Sequence, residues 1–140
     1  MNKIEKRLND FYYKLAKNEQ KVFYKINEEQ IYLSDSYIIS IMNKESNLLN
    51  YDKMINAELD KFINNLNIED YKPVKDFYVK ENLVYLLNDN LKVCINKKYM
   101  KLYENLDIYI FDEIKPVIFK LEDNIIGFVL PIREVNKCKN

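Results

Sequence analysis

The sequence predicts an α+β domain, in which helices pack against antiparallel sheets. Apolar residues recur at helical spacing near the N-terminus, and many later segments alternate apolar and polar residues, as half-buried strands do. Turn residues separate successive strands, as in hairpins. With 140 residues, of which 48% are hydrophobic, the chain can bury one core and is too short for two independent ones.

The first half, roughly residues 1–50, is predicted to be one helix followed by three strands. The helix covers 3–17, because its apolar residues lie on one face of a helical turn pattern. These residues are Ile4, Leu8, Phe11, Tyr12 and Leu15. Alternation then predicts the strands KVFYKI, IYLS and YIISIM, separated by short polar turns.

A linking helix is predicted over residues 51–66. Its apolar positions again follow the helical period, and Asn50 stands where a capping residue is expected. The apolar positions are Tyr51, Ile55, Leu59, Phe62, Ile63 and Leu66.

The second half, roughly residues 75–134, is predicted to be three strands, a short helix and three more strands. The strands are DFYVK, LVYLL and LKVCI before the helix, and DIYIF, PVIFKL and IIGFVLPI after it. Asn96 is placed to cap the helix, in which Tyr99 and Leu102 face the core. Gly127 inside the last strand predicts a bulge or a close backbone approach. Residues 135–140 form a polar tail that we expect to fray.

The composition argues against an enzyme. The chain has no histidine, the most frequent general base, and its single glycine rules out a glycine-rich phosphate loop. The two cysteines, Cys94 and Cys138, are too few for a zinc site and are predicted to be reduced thiols. The triplet Glu113-Ile114-Lys115 beside Asp112 is the only arrangement similar to a metal nuclease, and it falls in a predicted loop. We therefore expect no catalytic residue, no metal and no cofactor.

No stretch of the sequence approaches the ~20 apolar residues that span a bilayer, and the N-terminus lacks an apolar leader. The sequence therefore predicts a cytoplasmic protein without a membrane partner.

Three consecutive segments of the second half resemble the third domain of the bacterial DNA polymerase III sliding clamp, the β clamp. They are LKVCINKKYMKLYENLDIYIF, KPVIFKLED and IIGFVLPIRE. The resemblance covers residues 83–134. It includes an Asn at a strand-to-helix junction (Asn96), the pair Tyr99-Met100 and a Lys115-Pro116-Val117 strand start. The terminal apolar-Pro-apolar-Arg sequence also matches.

The resemblance implies a single clamp-like domain over residues 1–134, with two helix-plus-sheet halves joined by the linking helix. It also implies that the last strand forms one wall of a peptide pocket, whose second wall belongs to a domain that 140 residues cannot hold. The residues of that wall are Phe128, Leu130, Pro131, Ile132 and Arg133. We therefore expect a non-catalytic module that binds a partner protein. A mobile-element factor that interferes with host replication or defence fits this expectation.

The alternative is a DNA-binding replication accessory that acts as a ring of several copies. Two predicted helices carry an excess of cations in a chain of zero net charge, as a phosphate-facing surface requires. These cations are Lys3, Lys6, Arg7, Lys14, Lys17, Lys97, Lys98 and Lys101. With two arginines in the chain, such binding would be independent of base sequence. A solvated helix face explains the same cations without DNA.

Tyrosine is abundant, with twelve residues. Four of them are predicted to point away from the core, where they would suit a protein interface or stack on single-stranded bases. They are Tyr13, Tyr32, Tyr78 and Tyr109.

Overall fold

The computed structural model describes residues 1–133, and the polar tail predicted at 135–140, with Cys138, lies outside the described residues. The α+β class is confirmed, since helices and mainly antiparallel strands occur in both units of the chain. These units are Met1–Asn67 and Ile68–Asn140.

The first unit contains two α-helices and four strands. In order along the chain they are α1 (Lys3–Lys17), β1 (Phe23–Asn27), β2 (Gln30–Ser34), β3 (Ile38–Asn43), β4 (Ile55–Asn56) and α2 (Asp60–Asn64). Strands β1, β2 and β3 form an antiparallel meander, and β4 pairs with β1 in parallel.

Helix α1 begins and packs as its sequence predicts. The Asn2 side chain accepts the Glu5 N–H at 2.7 Å, and the Glu5 carboxylate accepts the Asn2 N–H at 3.2 Å, which completes a capping box. Leu8 and Tyr12 are fully buried. The Tyr12 hydroxyl donates to the Leu33 carbonyl at 3.0 Å and lies 2.8 Å from Ser40 Oγ, so it ties α1 to β2 and β3.

The prediction of one helix over residues 51–66 is wrong. The segment is a 3-10 turn (Tyr51–Lys53), then β4, then the five-residue helix α2. The Ile55 N–H donates to the Val22 carbonyl at 2.9 Å, so the chain pairs with a strand where a helix would bond to itself. Of the predicted apolar stripe only Leu59 is buried, while Phe62 is 71% exposed.

The second unit contains seven strands and one α-helix within its described part. They are β5 (Lys72–Pro73), β6 (Asp76–Lys80), β7 (Leu83–Asn88), β8 (Leu91–Asn96), α3 (Lys97–Leu102), β9 (Asp107–Ile110), β10 (Val117–Leu121) and β11 (Asn124–Val129). Strands β6, β7 and β8 form one antiparallel sheet, and β11, β10, β9 and β5 are neighbours in that order in another. All six strands predicted for this half are present.

Helix α3 supplies core residues to this unit. Asn96 caps it by accepting the Lys98 N–H at 3.0 Å, as predicted. Tyr99, Leu102 and Tyr103 are buried.

Gly127 meets both expectations for a glycine within a strand. The pairing of β10 with β11 shifts register after the Phe119–Gly127 pair, so Ile126 is an extra residue in β11. The Tyr103 ring also lies against the Gly127 backbone, where an added Cβ would be 2.6 Å from Tyr103 Cε1.

Candidate interaction surfaces

The partner-binding residues expected at the end of the chain divide into one buried residue and one short exposed segment. Phe128 is 3% exposed and belongs to the core of β11. Leu130 and Ile132 are 45% and 38% exposed, Pro131 is half-buried and Arg133 is exposed. Of the five expected residues, the four at 130–133 can therefore present side chains to a partner.

This exposed segment follows β11 and is held beside β8. The Ile132 N–H donates to the Cys94 carbonyl at 2.7 Å. Because a backbone hydrogen bond fixes the segment, Leu130 and Ile132 form an apolar pair at a defined place in the unit, and a cation follows directly. Cys94 itself is a buried residue of β8.

The cations of α1 share one face of the helix. Successive helical residues rotate by about 100°, so Lys3, Lys6, Arg7, Lys14 and Lys17 fall within an arc of about 100°. We call these five residues the α1 cation stripe. Asp10 is the one acid within that arc, and the four lysines of the stripe are exposed while Arg7 is half-buried.

Two members of the stripe also have a structural reason for being basic. Lys14 and Lys17 occupy the last turn of α1, where a cation interacts favourably with the helix dipole.

Glu5, the other acid of α1, is buried and faces away from the stripe, where its carboxylate accepts the Asn43 N–H at 3.3 Å. The stripe therefore remains strongly cationic.

The remaining predicted cations lie on α3, in the second unit. Lys97, Lys98 and Lys101 are all exposed on this six-residue helix. The Lys98 ammonium stands over the Tyr99 ring, 5.0 Å from its centroid. Lys98 therefore makes a cation–π contact within its own unit.

The first unit also has an open groove that no sequence pattern indicated. It has a volume of about 480 Å³ and lies between the C-terminal half of α1 and the 48–54 segment. Tyr13, Leu48 and Met54 give it apolar walls, and Lys17 and Lys53 lie at its surface. Residues 51–54 of this segment were predicted to begin a helix, so a wall made by an irregular chain could not be anticipated.

The acidic loop before β10 has a structural role. Asp112 Oδ1 accepts the backbone N–H groups of Ile114 and Lys115 at 2.9 and 2.6 Å, which makes Asp112 a turn-forming residue. Glu113 and Lys115 are exposed. Within residues 1–133, no group of three or more Cys, Asp or Glu side chains is arranged to hold a metal ion.

The four tyrosines predicted to avoid the core have two different environments. Tyr13 and Tyr78 are exposed, whereas Tyr32 and Tyr109 are half-buried. The Lys120 ammonium lies 4.6 Å from the Tyr109 ring centroid. Tyr51, an apolar position of the helix predicted over 51–66, is exposed, because that helix is absent.

None of the helices in the described chain has the length and apolar character needed to cross a membrane. No protein-family model, curated protein or solved structure matches the chain.

Proposed function

We propose that this chain is a non-catalytic, clamp-like interaction module that binds a partner protein through residues 130–133. The observation that carries the proposal is the exposed apolar pair Leu130 and Ile132, which a backbone hydrogen bond holds beside β8. The absence of histidine from the sequence supports a binding role over acid–base catalysis.

The clamp-like part of the proposal is supported by the order of elements in the second unit. Strands β7 and β8, helix α3 and strands β9 to β11 follow the order that the resemblance implies. Tyr99, Leu102 and Val117, which lie in the segments that resemble the clamp, are all buried. We extend the proposal to a mobile-element factor that interferes with host replication or defence by occupying a partner of the host clamp.

The physical basis of this binding is the burial of two large side chains. Covering the exposed part of a leucine and an isoleucine removes apolar area from water, which stabilises a complex by about 25 cal/mol per Å². This contribution does not weaken with salt. We therefore expect the complex to survive moderate ionic strength, unlike one held by surface charges.

The test is a comparison of captured proteins among four forms of the chain. Wild type, Leu130→Asp, Ile132→Asp and the control Ile114→Asp are immobilised and exposed to the same bacterial lysate at about 0.3 M salt, where charge attraction is strongly screened. Ile114 is also an exposed apolar residue of the second unit, but it lies in the loop before β10. A protein retained by wild type and control, and lost from both segment variants, is the expected result.

Circular dichroism and urea unfolding would verify that the four forms fold alike. If both segment variants capture the same proteins as wild type, residues 130–133 are not the binding surface and the proposal fails.

We propose DNA association as the second candidate function, because the α1 cation stripe gives it a specific surface. Neutralising phosphates with these cations releases counterions, so affinity should fall steeply with salt and be blind to base sequence. The variant with Lys6, Arg7, Lys14 and Lys101 all changed to Glu should lose duplex binding. A second variant, with Lys44, Lys61, Lys72 and Lys115 changed to Glu, makes the same change in net charge outside the two basic helices. It should still bind duplex, more weakly than wild type because of its negative net charge.

The measurement is fluorescence anisotropy of a labelled duplex over a series of salt concentrations. We expect a steep logarithmic salt slope for wild type, a measurable slope for the second variant, and no measurable binding by the first variant even at low salt. Absence of any duplex binding by wild type at low salt would exclude this function. Light scattering with duplex present would reveal a ring as a particle of several chains.

A further inference from the structure

Strand β6 has exposed apolar side chains on both of its faces. Phe77, Tyr78 and Val79 are 50%, 43% and 48% exposed, although they are consecutive residues of one strand. Within residues 1–133, β6 pairs with β7 and stands at the edge of its sheet. An edge strand leaves a row of backbone donors and acceptors available to another strand.

The neighbours of β6 explain why each face is apolar. Phe77 lies opposite Leu86 and Val79 opposite Val84, both of which are buried, so these two residues continue the core face of the sheet. Tyr78 lies opposite Tyr85 on the other face, and their rings stack with centroids 4.8 Å apart. A partner docked on one face would leave the other exposed. A strand added at the edge would continue both.

The charges of this segment identify the strand that fits. The sequence from 75 to 81 is Lys-Asp-Phe-Tyr-Val-Lys-Glu. When it is laid antiparallel against a second copy with Tyr78 on the two-fold axis, Asp76 faces Lys80 of the second copy and Phe77 faces Val79. The flanking Lys75 likewise faces Glu81. Every charged position thus meets the opposite charge, and apolar positions meet each other.

The pleat permits this register. Each pair joins positions separated by an even number of residues, so both members have the same orientation within the strand. Backbone groups that point outward on one copy therefore meet outward groups on the other. A two-fold axis perpendicular to the sheet also keeps each face continuous, so Phe77 and Val79 extend the core face of both copies.

We propose that β6 pairs antiparallel with β6 of a second copy, which joins two three-stranded sheets into one of six strands. Charged residues on an edge strand ordinarily prevent such pairing. In the two-fold register, Asp76 and Lys80 do not prevent pairing, because each faces the other in the second copy and the dimer gains two cross-strand ion pairs.

Two local contacts must be exchanged when the pair forms. Asp76 Oδ1 accepts the Phe77 N–H at 2.8 Å, and the Lys75 ammonium lies 3.2 Å from Asp89 Oδ1 in a solvent-exposed salt bridge. Both contacts are exposed, so little is lost when they are replaced. We expect a reversible dimer that depends on concentration.

The first test is a charge exchange followed by sedimentation analysis. Wild type should change with concentration from the 17.0 kDa monomer to a particle of twice that mass. Asp76→Lys and Lys80→Asp should each weaken the dimer about tenfold or more, since each creates two like-charge pairs across the axis. The double variant should restore it, because the exchanged charges again face opposite charges across the axis. Glu113→Lys, a matched change in an exposed loop, should have no effect.

The second test fixes the register by disulfide cross-linking in a Cys138→Ser background, where the remaining Cys94 is buried. Tyr78→Cys should cross-link to itself, because directly opposite residues have Cα atoms about 4.5–5.5 Å apart. Asp76→Cys alone should not, since its two copies would be about 14 Å apart. A mixture of Asp76→Cys and Lys80→Cys should cross-link.

These outcomes decide the proposal. A wild type that remains monomeric up to about 1 mM, a weak-association limit, would overturn it. So would a dimer that the charge exchange does not affect, or one in which Asp76→Cys cross-links to itself as well as Tyr78→Cys does. None of these results depends on binding at residues 130–133 or on DNA.

Discussion

Replacing Gly127 by alanine sets two effects of opposite sign against each other. Alanine has fewer conformations in the unfolded chain, and at an unstrained site this stabilises a protein by about 0.4–1 kcal/mol. Gly127 does not have a positive φ, so its backbone conformation is open to alanine. The new Cβ, however, would overlap the Tyr103 ring, with Cε1 only 2.6 Å away. The packing of that ring determines whether the substitution raises or lowers the free energy of unfolding.

Tyr103 has little freedom to move away. Its side chain is 2% exposed and its ring stacks on Phe119, with centroids 4.8 Å apart and planes inclined by 24°. Phe119 is itself buried and pairs directly with Gly127 across β10 and β11. Overpacking of a closed core costs about 1–3 kcal/mol and occasionally more. We expect Gly127→Ala to lower the free energy of unfolding by about 1–2 kcal/mol, after the entropic gain is included.

The assay is urea unfolding of four proteins followed by circular dichroism: wild type, Gly127→Ala, Tyr103→Leu and the double variant. Tyr103→Leu removes the ring and should itself cost about 2 kcal/mol or more. Once the ring is absent, the added methyl has room and only the entropic gain remains, so the double variant should be as stable as Tyr103→Leu or up to about 1 kcal/mol more stable. Tyr103→Phe is a control that keeps Cζ and Cε1 and should not rescue Gly127→Ala.

An additive double variant, or a Gly127→Ala protein as stable as wild type, would refute this reasoning. The first result would mean that the cost arises elsewhere than at the ring. The second would mean that the core around Tyr103 yields more easily than its burial suggests.

Three further predictions concern single polar groups. Burial, and secondarily the negative charge of Asp112, raise the pKa of Tyr71 from 10.0 to about 12. The folded state therefore favours the neutral phenol, so the contribution of Tyr71 to stability is retained below pH 10 and is lost as the pH rises towards 12. Urea unfolding at a series of pH values should show this loss in wild type and less of it in Tyr71→Phe. Tyr12→Phe removes the hydroxyl that joins Leu33 and Ser40 in the core, and should cost about 1–3 kcal/mol in the same assay. Asn96→Ala removes the α3 cap and should cost about 0.5–2 kcal/mol, whereas substitution of the exposed turn residue Asn90 should cost much less.

Elements whose periodicity agrees with their tertiary environment could be predicted closely from the sequence. Helix α1 occupies Lys3–Lys17, the predicted span, because its apolar stripe, its capping residue and its buried face all favour the same helix. The strands of the second unit follow for the same reason, since their alternation matches a sheet with one buried face. Gly127 was informative because one glycine in 140 residues stands within a strand.

The 51–66 segment shows where periodicity fails. Its signals are real but local: Asn50 does cap a turn, since its side chain accepts the Asp52 N–H at 2.9 Å. The turn ends after three residues, because Ile55 and Ala57 donate to the carbonyls of Val22 and Tyr24 and form a parallel strand. A short helix is marginal without tertiary packing, so pairing with β1 prevails over the helical pattern.

The interaction surfaces depend on position within the sheet as well as on residue type. Phe77 and Val79 alternate with Tyr78 as residues of a buried strand would, and the sequence does predict a strand there. They are exposed because β6 stands at the edge, a fact that local pattern cannot encode. The opposite charges of Asp76 and Lys80 can be seen in the sequence. They indicate pairing between copies only when the structure shows that β6 has no neighbour on one side within the described chain. Self-complementarity in an edge strand is therefore a signal that needs both the sequence and the topology.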